Sequence, residues 1–369
     1  MISEYKFSAR EVMLTILCML PSLLLLYVPG YAAVEMGIDS WLMFVVFCVL
    51  DLLLCWVILK VRKMAPGKTA IGISREAFGE FGGAIIGFLF VVLFGFKAML
   101  SFKQALDYIN TSIQASIPFI YFAIPMILLL IYAQFKGPAV FVRVGNFVIW
   151  LTLASYFIIM VTAVKEFEIN NLRPFLVNGL ESVAGNIWRF FPWCGNIVFL
   201  LMFFDKVDVK KGFEKKILTA VGIAYGIVLA LDVIFLGVFG VMAKFMTFSI
   251  MELSQYLSGM VFSNRMDTII RLIWILSAFV RDVVFVYCFA ESAAELIKKR
   301  QSKIWIVAAT LLIILPELIF FENENVYFGF IMNNTSIICG ALQYGLPLLL
   351  YAGLCVRRGN RMERERCMQ

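Results

Sequence analysis

Ten apolar segments of about 20 residues follow one another along this chain, and the first and the sixth contain helix-breaking residues. Segments of this length cross the hydrocarbon layer of a membrane as α-helices, which satisfy their own backbone hydrogen bonds there. Composition agrees, because 62% of the residues are hydrophobic and only 15% are charged, whereas soluble domains are roughly half apolar and a quarter charged. The sequence therefore predicts an all-α integral membrane protein. Its ten predicted spans are 12–31, 41–59, 84–106, 117–133, 144–164, 184–204, 217–242, 269–289, 304–321 and 337–356.

The interruptions fall in the first span of each set of five. Span one contains Pro21, Pro29 and Gly30, and span six contains Pro192 and Gly195. Paired interruptions of this kind are typical of transporters built from inverted repeats, in which broken helices surround a ligand site near the membrane midplane. We therefore predict one transmembrane domain over residues 1–369, with helices 1 and 6 broken. The two repeats are expected at about 12–164 and 184–356, followed by a basic tail at 357–369.

The distribution of basic residues predicts the orientation. Most of the 32 lysines and arginines fall in the segments that are inside if the N-terminus is cytoplasmic. This bias fits ten spans with both termini in the cytoplasm. The net charge of +7 then reflects topology and attraction to anionic lipid, not nucleic-acid binding. The outside loops contain only Lys165, Arg173, Lys244 and Arg265.

Several classes of chemistry find no support in the sequence. The chain has no histidine, and its eight cysteines form no C-x-x-C pair. No phosphate-binding loop, dinucleotide fingerprint, zinc signature or nucleophile elbow is present. We expect no enzymatic activity, no cofactor and no metal site.

Span three carries ionisable side chains at a depth where charge is costly. Lys103 and Asp107 lie one turn apart, which suits an i,i+4 ion pair. A charge at mid-membrane costs at least about 2.5 kcal/mol, so such groups normally face a bundle interior or a watery cavity. We expect an interior role for Lys97, whereas Lys103 and Asp107 either share that role or pair near the outer surface. The stripe that contains Lys97 consists of Lys97, Ser101, Gln104 and Tyr108.

Span eight places Arg281 and Asp282 close to mid-membrane as adjacent opposite charges. Two interpretations are open. The residues form a buried structural ion pair with another helix, or they form a coupling site for a substrate or a cation.

Span six concentrates proline, glycine and a polar amide in one turn, at 191–196. Proline removes a backbone donor, and glycine lowers helix preference by about 1 kcal/mol. The freed backbone groups and the dipoles of half-helices suit an amino-acid-like zwitterion. The candidate ligand contacts are Ser22, Tyr27, Trp193, Cys194, Gly195 and Asn196.

Two connections predict short helices at the membrane surface. The inside connection contains the amphipathic stretch 74–78, and the outside connection contains the stretch 251–257. The outside helix either forms a lid over an opening or merely rests at the membrane surface.

Short motifs spread over the chain carry a family resemblance. They are Pro29 before Asp39-Ser40-Trp41, Arg143 at the start of span five, Asn171-Leu172-Arg173-Pro174, and Phe191-Pro192 to Gly195 followed by Val198-Phe199-Leu200-Leu201-Met202. This order resembles the spore germination B-subunit family (GerAB-like), a branch of the amino acid/polyamine/organocation permeases with a LeuT-like fold. The resemblance implies a spore inner-membrane protein that senses a nutrient germinant, often an amino acid, together with receptor A and C subunits.

The chain departs from this family pattern at two places. Span one has Ser22-Leu23-Leu24-Leu25-Leu26-Tyr27 where relatives commonly have a glycine-rich unwound stretch, and Asn196 stands where relatives often have glutamate. Three functions therefore stay open. The chain is a germinant-sensing subunit, a proton- or sodium-coupled amino acid or polyamine permease that uses Asp282, or a structural subunit whose pocket has decayed.

Overall fold

The chain folds into a bundle of helices. The computed structural model describes residues 6–113, 117–174, 176, 179–261, 266–298, 302–320 and 324–367. In chain order, its α-helices are α1 (Ala9–Met36), α2 (Trp41–Met64), α3 (Ala70–Ile113), α4 (Ile120–Lys136), α5 (Pro138–Ala163), α6 (Gly179–Asn186), α7 (Phe213–Phe239), α8 (Ser249–Val261), α9 (Met266–Leu296), α10 (Lys303–Phe320), α11 (Glu324–Phe330) and α12 (Ser336–Cys367).

Each predicted span corresponds to one of these α-helices, except span six, which is divided into shorter pieces. Spans two to five are α2 to α5, and spans seven to ten are α7, α9, α10 and α12. Among the described residues, six helices are long and apolar enough to cross a membrane, and α4 and the first part of α10 are shorter apolar helices. The all-helical membrane architecture is confirmed, and the number of ten spans stays a prediction.

Span one is not broken, so the expected interruption there is wrong. Helix α1 runs without a break from Ala9 to Met36, with Pro21 and Pro29 inside it. Each proline removes one backbone donor, but neighbouring helices in a membrane bundle supply other partners for the freed groups. The leucine run between the two prolines favours helix.

Span six is broken as expected. After α6, the chain continues as a 3₁₀ helix over Ile187–Trp193, leaves helical geometry at Cys194 and Gly195, and resumes as a 3₁₀ helix over Asn196–Met202. We call Cys194 and Gly195, together with the 3₁₀ helices on either side of them, the broken helix.

Helix α1 lies in the middle of the bundle. It packs against α5, α7, α8 and α9, and 94% of its most apolar stretch is buried. A helix that is apolar on all sides is stable only in such surroundings. Helices α3 and α9 pack along each other beside it and bring their polar side chains towards α1 and the broken helix.

The structure has a helix at each of the two positions predicted for a surface helix, and their place at the membrane surface stays a prediction. The inside one is the start of α3, which bends at Gly79 because this residue has a φ of +76°. The one predicted outside is α8, which packs against the C-terminal half of α1 through a hydrogen bond from the Gly30 N–H to Ser249 Oγ (2.8 Å).

Candidate ligand site at the broken helix

The break in span six depends on the backbone conformation of Gly195. Cys194 is extended (φ −103°, ψ −173°) and Gly195 is left-handed (φ +65°, ψ +14°). Residues that have a Cβ atom rarely adopt these left-handed backbone angles. A Cβ atom at Gly195 would also lie only 2.5 Å from Cδ of Gln343. The backbone angles therefore favour glycine at this position, and a larger residue would also require the Gln343 side chain to move.

Lys97 of α3 satisfies the carbonyl groups that the break exposes. Its Nζ atom donates to the carbonyl oxygens of Pro192 (2.8 Å) and Cys194 (2.7 Å). The side chain is 1% exposed. An ammonium group at the carbonyl end of a short helix is favoured by the helix dipole. Lys97 therefore lies in the interior of the bundle with the backbone of the broken helix as its partner, and a part in coupling stays a prediction.

Asp51 of α2 satisfies the amide group at the same break. The Gly195 N–H donates to Asp51 Oδ1 (3.0 Å). Two tyrosine hydroxyls from α7 and α12 also donate to this carboxylate, Tyr225 at 2.7 Å and Tyr344 at 2.8 Å. Asp51 is fully buried, so these three donors replace the water that a carboxylate normally binds.

Helix α12 completes the polar surroundings of the break. Gln343 Nε2 donates to the carbonyl oxygen of Phe191 (2.9 Å), and the Tyr344 hydroxyl lies 3.3 Å from Cys194 Sγ. The broken helix is thus tied to α2, α3, α7 and α12 by side chains that reach its backbone directly or through Asp51.

Two polar atoms of the broken helix remain without a hydrogen bond within the described part of the chain. Asn196 Nδ2 donates to the carbonyl oxygen of Trp193 (2.6 Å), but Asn196 Oδ1 and Trp193 Nε1 have no partner there. Both side chains are 1% exposed. One unpaired donor and one unpaired acceptor therefore belong to the same turn.

Aromatic rings fill the space between this turn and α1. The Trp193 indole stacks on Phe328 of α11, with 5.6 Å between centroids and an interplanar angle of 5°. Phe328 also contacts Tyr27 of α1 (4.4 Å), and Tyr27 contacts Phe248 before α8 (4.7 Å). Tyr27 and Trp193 are therefore brought to the same aromatic cluster.

Arg281 and Asp282 of α9 form a second buried polar cluster with α3. The Arg281 guanidinium donates to Ser101 Oγ (2.7 Å) and to the carbonyl oxygen of Ser22 in α1 (2.9 Å). Asp282 Oδ1 accepts hydrogen bonds from Ser101 and Arg281. Gln104 Nε2 donates to the carbonyl oxygen of Leu23 (3.2 Å). The ion pair itself lies within α9, and hydrogen bonds of Arg281 and Asp282 join it to α1 and α3.

The bundle is closed near both ends of α1. At the predicted inside end, the Phe7 N–H donates to the carbonyl oxygen of Lys206 (2.7 Å), and the Asp208 N–H donates to the carbonyl oxygen of Phe7 (2.8 Å). Phe7 itself is buried. At the predicted outside end, α8 is bonded to Gly30. The broken helix is therefore enclosed.

Comparison with known proteins identifies the family. The profile of a family described as "Spore germination protein" matches residues 6–326. This chain belongs to that spore germination protein family. The curated relatives include spore germination protein YndE of Bacillus subtilis (strain 168), which is 22% identical over 85% of this chain and 86% of that protein. Spore germination protein KB of the same organism is 22% identical over 75% of each chain.

Solved structures similar to this spore germination protein are transporters. Mhp1, a nucleobase-cation-symport-1 family transporter solved in a closed conformation with bromovinylhydantoin bound, has a TM-score of 0.62 at 15% identity and covers 92% of this chain and 78% of its own. A manganese transporter of Eremococcus coleocola has a TM-score of 0.58 at 12% identity, with 90% of this chain and 75% of its own covered. The LeuT-like fold implied by the sequence is confirmed, and the family is of a permease type.

The structure brings together most of the site residues predicted for this germination protein. Trp193, Cys194, Gly195 and Asn196 form the break, and Tyr27 reaches it through Phe328. The exception is Ser22: its hydroxyl donates to the Met19 carbonyl of its own helix (2.9 Å), and its carbonyl accepts from Arg281. A role in ligand binding stays a prediction for all six residues.

Lys103 and Asp107 form the expected pair one turn apart on α3, and both are buried. The Lys103 ammonium also lies over the ring of Tyr327, 5.8 Å from its centroid. The pair thus lies against α11 rather than at an exposed surface. A part in coupling stays a prediction for both residues.

Sequence reasoning missed four residues of the network around the break, namely Asp51, Tyr225, Gln343 and Tyr344. A signal was present for Asp51, because it is a lone carboxylate in the middle of an apolar span, and such residues usually mark functional sites. The other three are neutral residues whose relevance depends on which helices meet at the break, and spacing along the chain carries no such information.

Proposed function

We propose that this chain is the permease-like subunit of a spore germination receptor that senses a nutrient germinant. Its place in the spore germination family and its LeuT-like transporter fold support this function. The observation that carries the proposal is the enclosed broken helix, because a discontinuous helix at the centre of this fold is where such proteins hold small molecules.

The mechanism that fits this geometry is a population shift between two arrangements of the bundle. Lys97, Asp51 and Gln343 connect the backbone of the broken helix to three different helices. A ligand that binds at the turn changes these connections and favours the arrangement that accommodates it. Both ends of the bundle then change, because the contacts of Phe7 and Gly30 belong to the closed arrangement.

The finer parts of the proposal come from the family resemblance. We infer that the receptor A and C subunits detect the change in this subunit, that the protein lies in the spore inner membrane, and that both termini are cytoplasmic. Basic residues concentrated in the inside connections support the orientation. An amino acid is the nutrient that the resemblance implies.

Germination assays test the sensor function. Spores that carry Trp193→Ala or Asn196→Leu are expected to need about 5- to 150-fold more nutrient for half-maximal germination, since loss of one buried hydrogen-bonding group costs about 1–3 kcal/mol. Trp188→Ala is the matched control, because Trp188 lies near the start of the first 3₁₀ helix, away from Cys194 and Gly195, and its indole donates to the carbonyl of Gly185 in the preceding helix (2.7 Å). Unchanged germination in both site variants would contradict sensing at the broken helix.

A coupled amino acid or polyamine permease is the second candidate. It is favoured by Asp282, which is fully buried and has one carboxylate oxygen, Oδ2, with no hydrogen bond within the described residues. Uptake of labelled amino acid into proteoliposomes, abolished by Asp282→Asn, would identify this function. If the unmodified protein shows no uptake and germination still depends on Trp193, the sensor function is favoured over the permease.

A further inference from the structure

The broken helix exposes two kinds of backbone group, and this chain binds both with its own side chains. The Gly195 N–H donates to the Asp51 carboxylate, and the carbonyls of Pro192 and Cys194 accept from the Lys97 ammonium. A free amino acid would use the same groups in the same way, with its carboxylate on the N–H and its ammonium on the carbonyls. Asp51 and Lys97 together occupy the positions of a zwitterion.

Both internal charges are firmly held. Asp51 also accepts hydrogen bonds from Tyr225 and Tyr344, and Lys97 is almost completely buried. A charge inside a membrane protein that loses its partner is strongly unfavourable. A zwitterionic ligand could bind to these backbone groups only by displacing both Asp51 and Lys97, so that Lys97 would lose both carbonyl partners and Asp51 would keep only the two tyrosine hydroxyls.

The polar atoms that remain at this turn are uncharged. They are the Trp193 Nε1–H, a donor, and Asn196 Oδ1, an acceptor, and both are buried without a hydrogen bond in the described structure. A buried polar atom gains most from a ligand that supplies its missing partner. The ring of Trp193 already stacks on Phe328, which contacts Tyr27, so the adjoining surface is aromatic.

We propose that the broken helix takes an uncharged ligand that carries at least one hydrogen-bond acceptor and one donor, as an amide does, and that it rejects free amino acids. The acceptor of the ligand pairs with Trp193 Nε1–H, and the donor pairs with Asn196 Oδ1. Asp51 and Lys97 set this specificity by occupying the charged positions. This inference rests on the proposed function, since it names the class of nutrient that the same turn would bind, and it replaces the free amino acid implied by the family resemblance with an uncharged ligand.

Matched pairs of compounds test the ligand class on the purified, full-length protein in lipid nanodiscs. The probes are alanine, leucine and phenylalanine and the N-acetyl amide of each, which keeps the side chain and removes both charges. At least one N-acetyl amide is expected to raise the unfolding midpoint saturably by more than about 2 °C, and the free amino acids are not. Trp193→Phe, which keeps the ring and loses the N–H, is expected to weaken binding about tenfold, whereas Trp188→Phe is not. A saturable shift with a free amino acid, or none with any amide, would overturn the proposal.

A charge-neutral double variant tests the role of the internal pair. Asp51→Asn with Lys97→Met removes one negative and one positive charge and leaves the net charge unchanged. This variant is expected to gain a saturable shift with at least one free amino acid that the unmodified protein lacks. If the two proteins respond alike to free amino acids, Asp51 and Lys97 do not set the specificity. Binding of a free amino acid by the unmodified protein overturns this inference alone, whereas the germination response of the Trp193 variants decides the sensor function.

Discussion

The first spans of the two predicted repeats both contain proline, yet one is a continuous helix and the other is broken. In α1, Pro21 and Pro29 lie within regular helix. In span six, the chain leaves helical geometry at Cys194 and Gly195. Both receive side chains from α3: Gln104 reaches the Leu23 carbonyl, and Lys97 reaches the carbonyls of the break. The difference therefore does not lie in the presence of polar neighbours.

The backbone of one residue accounts for the difference. Gly195 adopts left-handed angles and donates its N–H sideways to Asp51 rather than along the helix. The corresponding part of α1 has four leucines in a row, and each favours helix and is buried. The prolines leave α1 helical, whereas Gly195, whose amide donates to Asp51, ends the helical geometry of span six. This comparison predicts the following effects, measured by reversible unfolding of the purified protein.

The largest effect is expected for Arg281→Met. Arg281 holds the Ser22 carbonyl of α1 and pairs with Asp282 in a site with no exposure. Its removal leaves a buried carboxylate without its counter-charge, and we expect a loss of about 3–5 kcal/mol. The double variant Arg281→Met with Asp282→Leu is expected to recover most of this loss, because it removes the unpaired charge.

Arg271→Met on the same helix is the control for Arg281→Met. Arg271 pairs with Asp267 where both side chains keep some exposure, and it also donates to the carbonyl oxygen of Ser112 (2.8 Å), so we expect a smaller loss than for Arg281, about 1–3 kcal/mol. Equal losses for the two arginines would show that the cluster at Arg281 has no special part in holding α1.

The next largest effect is expected for Gly195→Ala. A left-handed alanine costs about 1–2 kcal/mol, and the added methyl group would also collide with Gln343, which adds about 1–3 kcal/mol. Gly222→Ala is the control, because a Cβ at that position of α7 meets no other atom within 4 Å. We expect that variant to be unchanged or more stable by up to about 1 kcal/mol. A tolerated alanine at 195 would mean that the break does not depend on this residue.

The same comparison shows what the sequence could predict. Apolar length predicted the helices, and the spacing of Lys97, Ser101 and Gln104 predicted that α3 faces the interior, because both properties depend on residues close together in the chain. The hydrogen-bond network at the break instead depends on residues that are far apart in the chain. Asp51 meets the Gly195 amide across 144 residues, and Tyr344 meets Asp51 across 293. The predicted break in α1 was wrong because it was inferred from proline, whereas the break in span six depends on a glycine with left-handed backbone angles.

A smaller effect is expected for Ser22→Gly, which introduces into α1 the kind of residue that its unwound relatives have. Glycine inside a helix costs about 1 kcal/mol relative to alanine, so Ser22→Gly is expected to be less stable than Ser22→Ala by that amount. Amide hydrogen exchange should become faster over 22–27 in the glycine variant only. Identical exchange in both variants would show that packing alone keeps α1 helical.

The smallest effects are expected for the prolines themselves. Pro21→Ala restores one N–H to a helix that is already continuous, so we expect a change of less than about 1 kcal/mol, because neighbours in the bundle already satisfy part of the freed backbone. Pro192→Ala is the matched variant in span six. It leaves Gly195 left-handed and Lys97 on the same carbonyls, so the amides of 194–196 should exchange as in the unmodified protein. Slower exchange there would mean that Pro192 rather than Gly195 breaks the helix, and the distinction between the two first spans would then depend on the position of proline.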